Sequence, residues 1–314
     1  MKLFVMSDIH GDYLAMMEGL KNAEYDCTNL NHQLIVIGDY FGRATTDEGA
    51  YGVFKYLTSD EHKNKPICLL GNHEEIFVRD MLTKGYISYM DERNGEDKTI
   101  YSFYEHIPNI DDPRTMKPIY DELQKNSAEE DRWSQNLGKG LVLAINKLGE
   151  GKQLLEWVNS LPYYYETKHY VFTHGWLPYR VERKVKFSNK ADDHESFEAY
   201  LAEYPKHTKL VYDYKHKSAK CWHDWLWTET PKNYELHTLL LPHGWKKWIV
   251  VGHWHAFAFG EKAKLYTEYE LYDNLDEADY NYVIDNKHKV IFCDHCTALG
   301  HKINVLVLED ELLD

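Results

Sequence analysis

The chain lacks a surplus of positive charge, a long apolar run, a regular cysteine framework and any low-complexity linker. Each absence removes a class of protein. Thirty-six Lys and Arg stand against 51 Asp and Glu, a formal net charge of −15. A protein whose main business is gripping nucleic acid needs the opposite balance, because that affinity rests on basic side chains neutralising phosphates. No apolar segment approaches the ~20 residues needed to span a bilayer. The opening MKLFVMS at residues 1–7 runs straight into Asp8, too short for a secretory leader. The five cysteines, Cys27, Cys68, Cys221, Cys293 and Cys296, are odd in number and irregularly spaced. That usage fits a reducing cytosol better than a disulfide scaffold, so a cytoplasmic location is expected. Cys293-Asp294-His295-Cys296 is a lone CxxC without the second pair that a four-ligand zinc site needs, and it reads as packed or surface thiols. With no internal repeat and no Gly/Ser or Pro-rich linker, one elaborated domain over 1–314 is expected.

What is present is histidine, 18 of them in an acidic chain of 314 residues. Imidazole with carboxylate is the ligand set of catalytic transition metals. Five short apolar runs share one design, an extended segment ending in a polar cluster with glycine beside or inside it. They are Leu3–Met6 into SDIHGD, Leu34–Ile37 into GDYFGR, Ile67–Leu70 into GNHEE, Tyr170–Phe172 into THGW, and Trp248–Val251 into GHWH. Continuous runs of this kind read as strands buried on both faces. Between the first three lie stretches of helical spacing, marked by Leu14, Met17 and Leu20 and then by Tyr51, Phe54 and Leu57. Asp8, Asp39 and Asn72 recur at intervals of about one strand-helix-strand unit. Ligands of open α/β sheets gather beyond the carboxyl ends of strands, so five such ends point at one shared site.

Two stretches interrupt the pattern. Residues 85–150 read as a helical insertion and 181–220 as a loop or lid, either a device for substrate access or surface decoration.

The clusters supply Asp8, His10, Asp39, Asn72, His73, His174, His253 and His255. Mixed carboxylate, imidazole and amide donors suit Mn, Fe, Zn, Co or Ni better than Ca or Mg. Eight candidates exceed the needs of one ion and suffice for two, about 3.5–4 Å apart with a bridging carboxylate. Such a pair generates hydroxide near neutral pH for in-line attack on phosphorus.

The set Asp8-Ile9-His10, Gly38-Asp39, Gly71-Asn72-His73-Glu74, His174-Gly175 and Gly252-His253-Trp254-His255 resembles the calcineurin-like metallophosphoesterases. Within them it is most similar to the phosphoprotein phosphatase branch, in its bacterial and bacteriophage Ser/Thr phosphatase and diadenosine tetraphosphatase forms. GDYFGR resembles that branch's GDYVDR, LLGNHE its LRGNHE, and Asn94-Gly95 leading to Thr99 and Ser102 its NGG…T…S segment. The resemblance implies a four-layer αββα sandwich, two mixed sheets flanked by helices, with helical and loop insertions. It implies two transition-metal ions, manganese first among Mn, Fe, Zn, Ni and Co. One would be held by Asp8, His10, Asp39 and His255, the other by Asp39, Asn72, His174 and His253. His73 would be the general acid and Arg43 the phosphate clamp.

The expected activity is therefore that of a dinuclear phosphomonoesterase like the Ser/Thr protein phosphatases, acting on a phosphorylated protein or nucleotide. A dinucleoside polyphosphate hydrolase, a phosphodiesterase and a metal-binding scaffold without turnover remain alternatives. Three departures bear on the choice. Gly42 stands where GDYVDR has the Asp that orients the general-acid histidine, Leu70 replaces an arginine, and His255 is a second histidine more typical of phosphodiesterase-like members. Trp222, Trp225 and Trp227, with Trp245, Trp248 and Trp254, read as core and packing beneath the insertions rather than as a nucleobase platform.

Overall fold

The computed structural model describes residues 1–43, 49–126, 133–177, 179–183, 208–212, 245–260 and 281–312. Eleven strands run through these residues: β1 (Lys2–Met6), β2 (His32–Val36), β3 (Ile67–Cys68), β4 (Tyr164–Glu166), β5 (Tyr170–Thr173), β6 (Tyr179–Arg183), β7 (Thr208–Tyr212), β8 (Trp248–His255), β9 (Val283–Asp285), β10 (Val290–Asp294) and β11 (Leu306–Glu309). One sheet has the order β11-β1-β2-β3 and a second β4-β5-β8-β10-β9. Both are mixed: β1, β2 and β3 are parallel with β11 antiparallel at the edge. In the second sheet β5, β8 and β10 are parallel, with β4 and β9 antiparallel outside them. All five apolar runs are strands of these parallel cores.

Side-chain alternation explains why those runs are continuous. Leu3 and Val5 of β1 and Ile35 of β2 meet Phe172, Val250 and Ile291 between the two sheets. Their neighbours Phe4, Met6, Leu34 and Val36 point the other way, into a helical layer. Both faces are dry along these runs, so an unpaired polar side chain has no place in them. The helical layer is built from α1 (Tyr13–Asn22), α2 (Gly49–Thr58), α3 (Arg79–Lys84), α4 (Tyr89–Arg93), α5 (Glu96–Glu105), α6 (Pro113–Asn126), α7 (Trp133–Lys147) and α8 (Gly151–Ser160). The outer face of the second sheet is covered by aromatics: Trp176 stacks on Trp254 with centroids 5.5 Å apart, and Trp254 on Phe292. The result is two mixed sheets flanked by helices, as expected.

The amphipathic stripe of α1 differs from the sequence reading. Ala15, Met16, Gly19 and Leu20 are its buried residues, while Leu14 is 59% exposed. Close approach decides this: a Cβ on Gly19 would lie 2.4 Å from the carbonyl oxygen of Ile303. The helix turns Met16 and Leu20, together with the small Ala15 and Gly19, to the fold, and Leu14 is left outside.

Of the two interruptions, residues 85–150 contain α4 to α7, and α5 and α7 contribute Ile100, Phe103, Val142 and Ile145 to the main core. Within 181–220 the described residues form an antiparallel pairing of β6 with β7; the rest of that stretch, with Trp222, Trp225 and Trp227, lies outside the described residues. Trp254 is buried, and Trp245 and Trp248 pack against the cores of the second sheet. Cys293 and Cys296 are buried, as a packed reading requires. No described helix is long and apolar enough to cross a membrane.

Candidate metal centre

The parallel strands end on one side of the molecule, and their loops are laced together there. Asp8 N donates to Gly38 O at 3.1 Å, His10 N to Asp39 O at 3.0 Å and Gly11 N to Tyr40 O at 2.7 Å, which carries the pairing of β1 with β2 into the loops. The second sheet joins through Gly252 N to His174 O at 2.9 Å and His253 N to Asp8 Oδ2 at 3.0 Å. Among the described residues ten non-glycine positions have positive φ, and five are site candidates: Asp8, His10, Asp39, Arg43 and His253. Left-handed backbone costs about 1–2 kcal/mol at each non-glycine residue, strain that concentrates where function over-determines geometry.

His253 shows what that strain does. Ile249 and Val251 of β8 face the outer aromatic core, so simple alternation would send residue 253 there too. Instead Trp254 joins that core, because the positive φ at His253 shifts the phase, and the register with β10 slips between Phe292 and Asp294. The irregularity re-aims an imidazole from the apolar layer to the site.

Two groups of side chains converge. Ligand atoms of His10, Asp39 and His73 lie within 4.8 Å of one another, as do those of Asp39, His174 and His253, with Asp39 common to both. His174 Nε2 is 2.8 Å from Asn72 Oδ1 and 3.3 Å from Asp39 Oδ1. The structure thus brings together His10, Asp39, Asn72, His73, His174 and His253. Asp8 joins through its bond from His253, and the Ser7 hydroxyl also donates to its Oδ2. His255 stands apart from both groups, with Nε2 3.7 Å from Asp294 Oδ2. Arg43 is exposed, close enough for its charge to bear on His10.

The imidazoles differ in charge: burial opposes ionisation of His174, but Asp39 beside it raises it to about 10, whereas His10 and His253 are held in the form that binds a cation. His10 Nδ1 lies 3.0 Å from Phe41 O and His174 Nδ1 2.7 Å from Ile37 O. A carbonyl only accepts, so each Nδ1 carries a proton and each Nε2 faces the site. Burial, with His73 adding to it, pushes His10 down to about 3; burial and His174 do the same to His253. Both are therefore neutral, the form that ligates metal. Burial opposes ionisation of Asp39, but His174 and His73 beside it hold its carboxyl well below the usual range. Burial and the neighbouring Asp294 raise Asp8 well above it. Buried carboxylates crowded together with neutral imidazoles are an arrangement that a bound cation relieves. The donor set fits transition metal ions.

Two carboxylates that sequence reasoning left without a role belong to this site. Glu74 accepts backbone N–H bonds from Asp39 and Tyr40 (2.9 Å each), Gly71 (3.1 Å) and Phe41 (3.4 Å), fastening the loop after β2 to the loop after β3. Its only sequence signal was its place after His73. Glu96, fully buried, lies 2.5 Å from His73 Nδ1 through Oε1. Burial works against the charge of His73, but Asp39 and Glu96 raise it to about 9. His73 Nε2 is 3.9 Å from Asp39 Oδ2.

The model of the calcineurin-like phosphoesterases matches residues 1–284. No curated protein matches the chain. Solved structures with a similar course include the cold-active protein-tyrosine phosphatase of a psychrophilic Shewanella (13% identity, 98% of this chain and 75% of that one, TM-score 0.43). They also include a protein serine/threonine phosphatase from Saccharomyces cerevisiae (13%, 100% and 80%, TM-score 0.43) and a metallophosphoesterase from Sphaerobacter thermophilus (13%, 82% and 61%, TM-score 0.35). At such identities and scores the family match carries the assignment.

Proposed function

The chain belongs to the calcineurin-like phosphoesterases, metal-dependent phosphoester hydrolases, and on that premise we propose that it is a phosphomonoesterase of the Ser/Thr protein phosphatase kind. The observation that carries the reading is the convergence of His10 on one side and His174 and His253 on the other upon a shared Asp39. In this reading Asp8, His10, Asp39 and His255 hold one ion and Asp39, Asn72, His174 and His253 the other, with manganese the first metal to try. When bound, such ions polarise a phosphoryl oxygen and make hydroxide available near neutral pH.

The chain's own residues supply the rest. His10 and His174 are oriented by the carbonyls of Phe41 and Ile37, so neither ring has to reorganise. Glu74 keeps the backbone around Asp39 from drifting. Arg43 meets the non-bridging phosphate oxygens; a guanidinium does this bidentately, which favours a monoester dianion over a diester. His73, with Nδ1 engaged by Glu96, holds a proton at Nε2 for the departing oxygen.

The test is a substrate panel of p-nitrophenyl phosphate, phosphoserine and phosphothreonine peptides, diadenosine tetraphosphate and bis-p-nitrophenyl phosphate, each with Mn, Fe, Zn, Ni or Co. Monoesters should be turned over fastest, and Asp39→Ala should abolish the activity. Full activity in Asp39→Ala would sink the mechanism. Preference for the diester or the tetraphosphate would replace the monoester reading, and metal binding without turnover of any substrate would favour a scaffold.

A further inference from the structure

The missing aspartate of the GDYVDR pattern leaves a space at Gly42, and that space is filled. A Cβ at position 42 would lie 2.4 Å from Glu96 Oε1 and 2.5 Å from His73 Nδ1. Any side chain there would therefore displace the Glu96–His73 contact. Gly42 also has φ +77, a conformation glycine adopts without strain. Glu96 is the first residue of α5 and follows Asn94-Gly95, so it stands where the NGG segment has its second glycine. One position has lost a carboxylate and the other has gained one, and the two meet at the same imidazole nitrogen.

The contact is built, not incidental. Glu96 has no exposed surface, and its second oxygen, Oε2, accepts from Thr99 Oγ1 at 3.1 Å. Thr99 Oγ1 in turn accepts from Gly42 N at 3.0 Å. The carboxylate is thereby fixed to the very backbone whose missing side chain makes room for it. Phe103 and Ile100, on the same helix, anchor α5 in the main core, so the carboxylate arrives on a rigid element.

We propose that Glu96 is the positioning residue of His73, taking from α5 the part that a carboxylate at position 42 would play. The proposal rests on the phosphomonoesterase reading. Glu96 accepts Nδ1–H, which fixes the tautomer and turns Nε2–H toward the leaving oxygen. In the step it serves, a water oxygen forms the new bond to phosphorus and the old P–O bond breaks. The leaving oxygen keeps that electron pair and takes the proton from His73 Nε2. Glu96 stays ionised throughout, and His73 regains its proton from solvent in the next cycle.

Proton donation matters most when the leaving group is poor, so the readout is selectivity between phenyl phosphate and p-nitrophenyl phosphate. Glu96→Ala should lower kcat/KM for phenyl phosphate by about 10- to 100-fold and for p-nitrophenyl phosphate by no more than about 3-fold. Glu96→Gln, which keeps an oxygen acceptor in the same volume, should lose less and covers the case in which the alanine variant does not fold. His73→Ala should show the same selectivity, and adding Glu96→Ala to it should cost nothing further, since both act through one group. A downfield Nδ1–H resonance of His73 in the zinc-loaded protein should disappear in Glu96→Ala. Equal losses on both substrates in the Glu96 variants, with His73→Ala still selective, would overturn the role of Glu96 alone. Absence of selectivity in His73→Ala would remove the general acid itself, and Glu96's role with it.

Discussion

Glu74 is an ionisable side chain with no exposed surface, pushed up to about 8 by burial and by Asp39, and backbone amides from both loops of the site surround it. A carboxylate can accept from four amides, whereas a carboxamide must turn an N–H₂ toward some of them. Glu74→Gln should therefore destabilise the fold by about 1–3 kcal/mol, read from denaturant midpoints. It should also weaken metal binding by about 10-fold or more, read from metal content after dialysis. A variant with normal stability and normal metal content would show that the amides find other partners. At this scale Asp8, His10, Asp39, His174 and His253 were legible in the sequence, because each lies in a short polar cluster at the end of an apolar run. Glu74 was visible without a role. Glu96 was not readable as a partner of His73, because the contact joins the start of the helical segment His73–Val78 to a helix 23 residues further on and depends on the absence of a side chain at a third position.

The elements are held as a pair of sheets by contacts at their edges as well as by the core between them. Asp310, just after β11, accepts from Thr167 Oγ1 at 2.5 Å and His169 N at 2.9 Å and meets His169 Nδ1 at 2.5 Å, both partners lying in the turn between β4 and β5. Burial alone would raise its pKa, but the bonds from Thr167 and His169 outweigh it and hold the carboxyl below the usual range. A depressed folded-state pKa stabilises above the unfolded value near ~3.9, and that stability is lost as pH falls through the folded value. Asp310→Asn should cost about 2 kcal/mol at pH 7. The gap from the parent should close as pH drops below about 4, and urea titrations at several pH values measure both. A constant gap across that range would assign the loss to packing. Strand existence was readable from apolar runs, since burial on both faces excludes polar residues locally. The face of α1 and the phase of β8 were not. The first depends on Gly19 lying against Ile303, and the second on a left-handed His253.

For the whole molecule, the charge of −15 and the buried carboxylates of the site act together. In the proposed reading an anionic phosphate approaches a chain that repels it, except where bound cations and Arg43 would make a local positive field. Cations held there would bind the folded arrangement and not the unfolded chain, and so would also stabilise it. Removing them with a chelator should lower the melting temperature by about 5 °C, for metal at about 100 times its Kd. Restoring the metal should recover it. Asp39→Ala should melt at the same temperature with and without chelator. A chelator-insensitive melting point in the parent would show that the clusters hold no ion in solution.

The sequence by itself determined which chemical groups would reach the site and from which strands, because ligand type and strand burial are written in residues that are neighbours along the chain. Its charge balance likewise spoke against a nucleic-acid grip. Only the tertiary structure decided how those groups are aimed. The shifted phase at His253, the four amides on Glu74 and the arrival of Glu96 in the space beside Gly42 all depend on distances between segments far apart in sequence. Such distances are set by how closely two backbones can approach, and no local pattern records that.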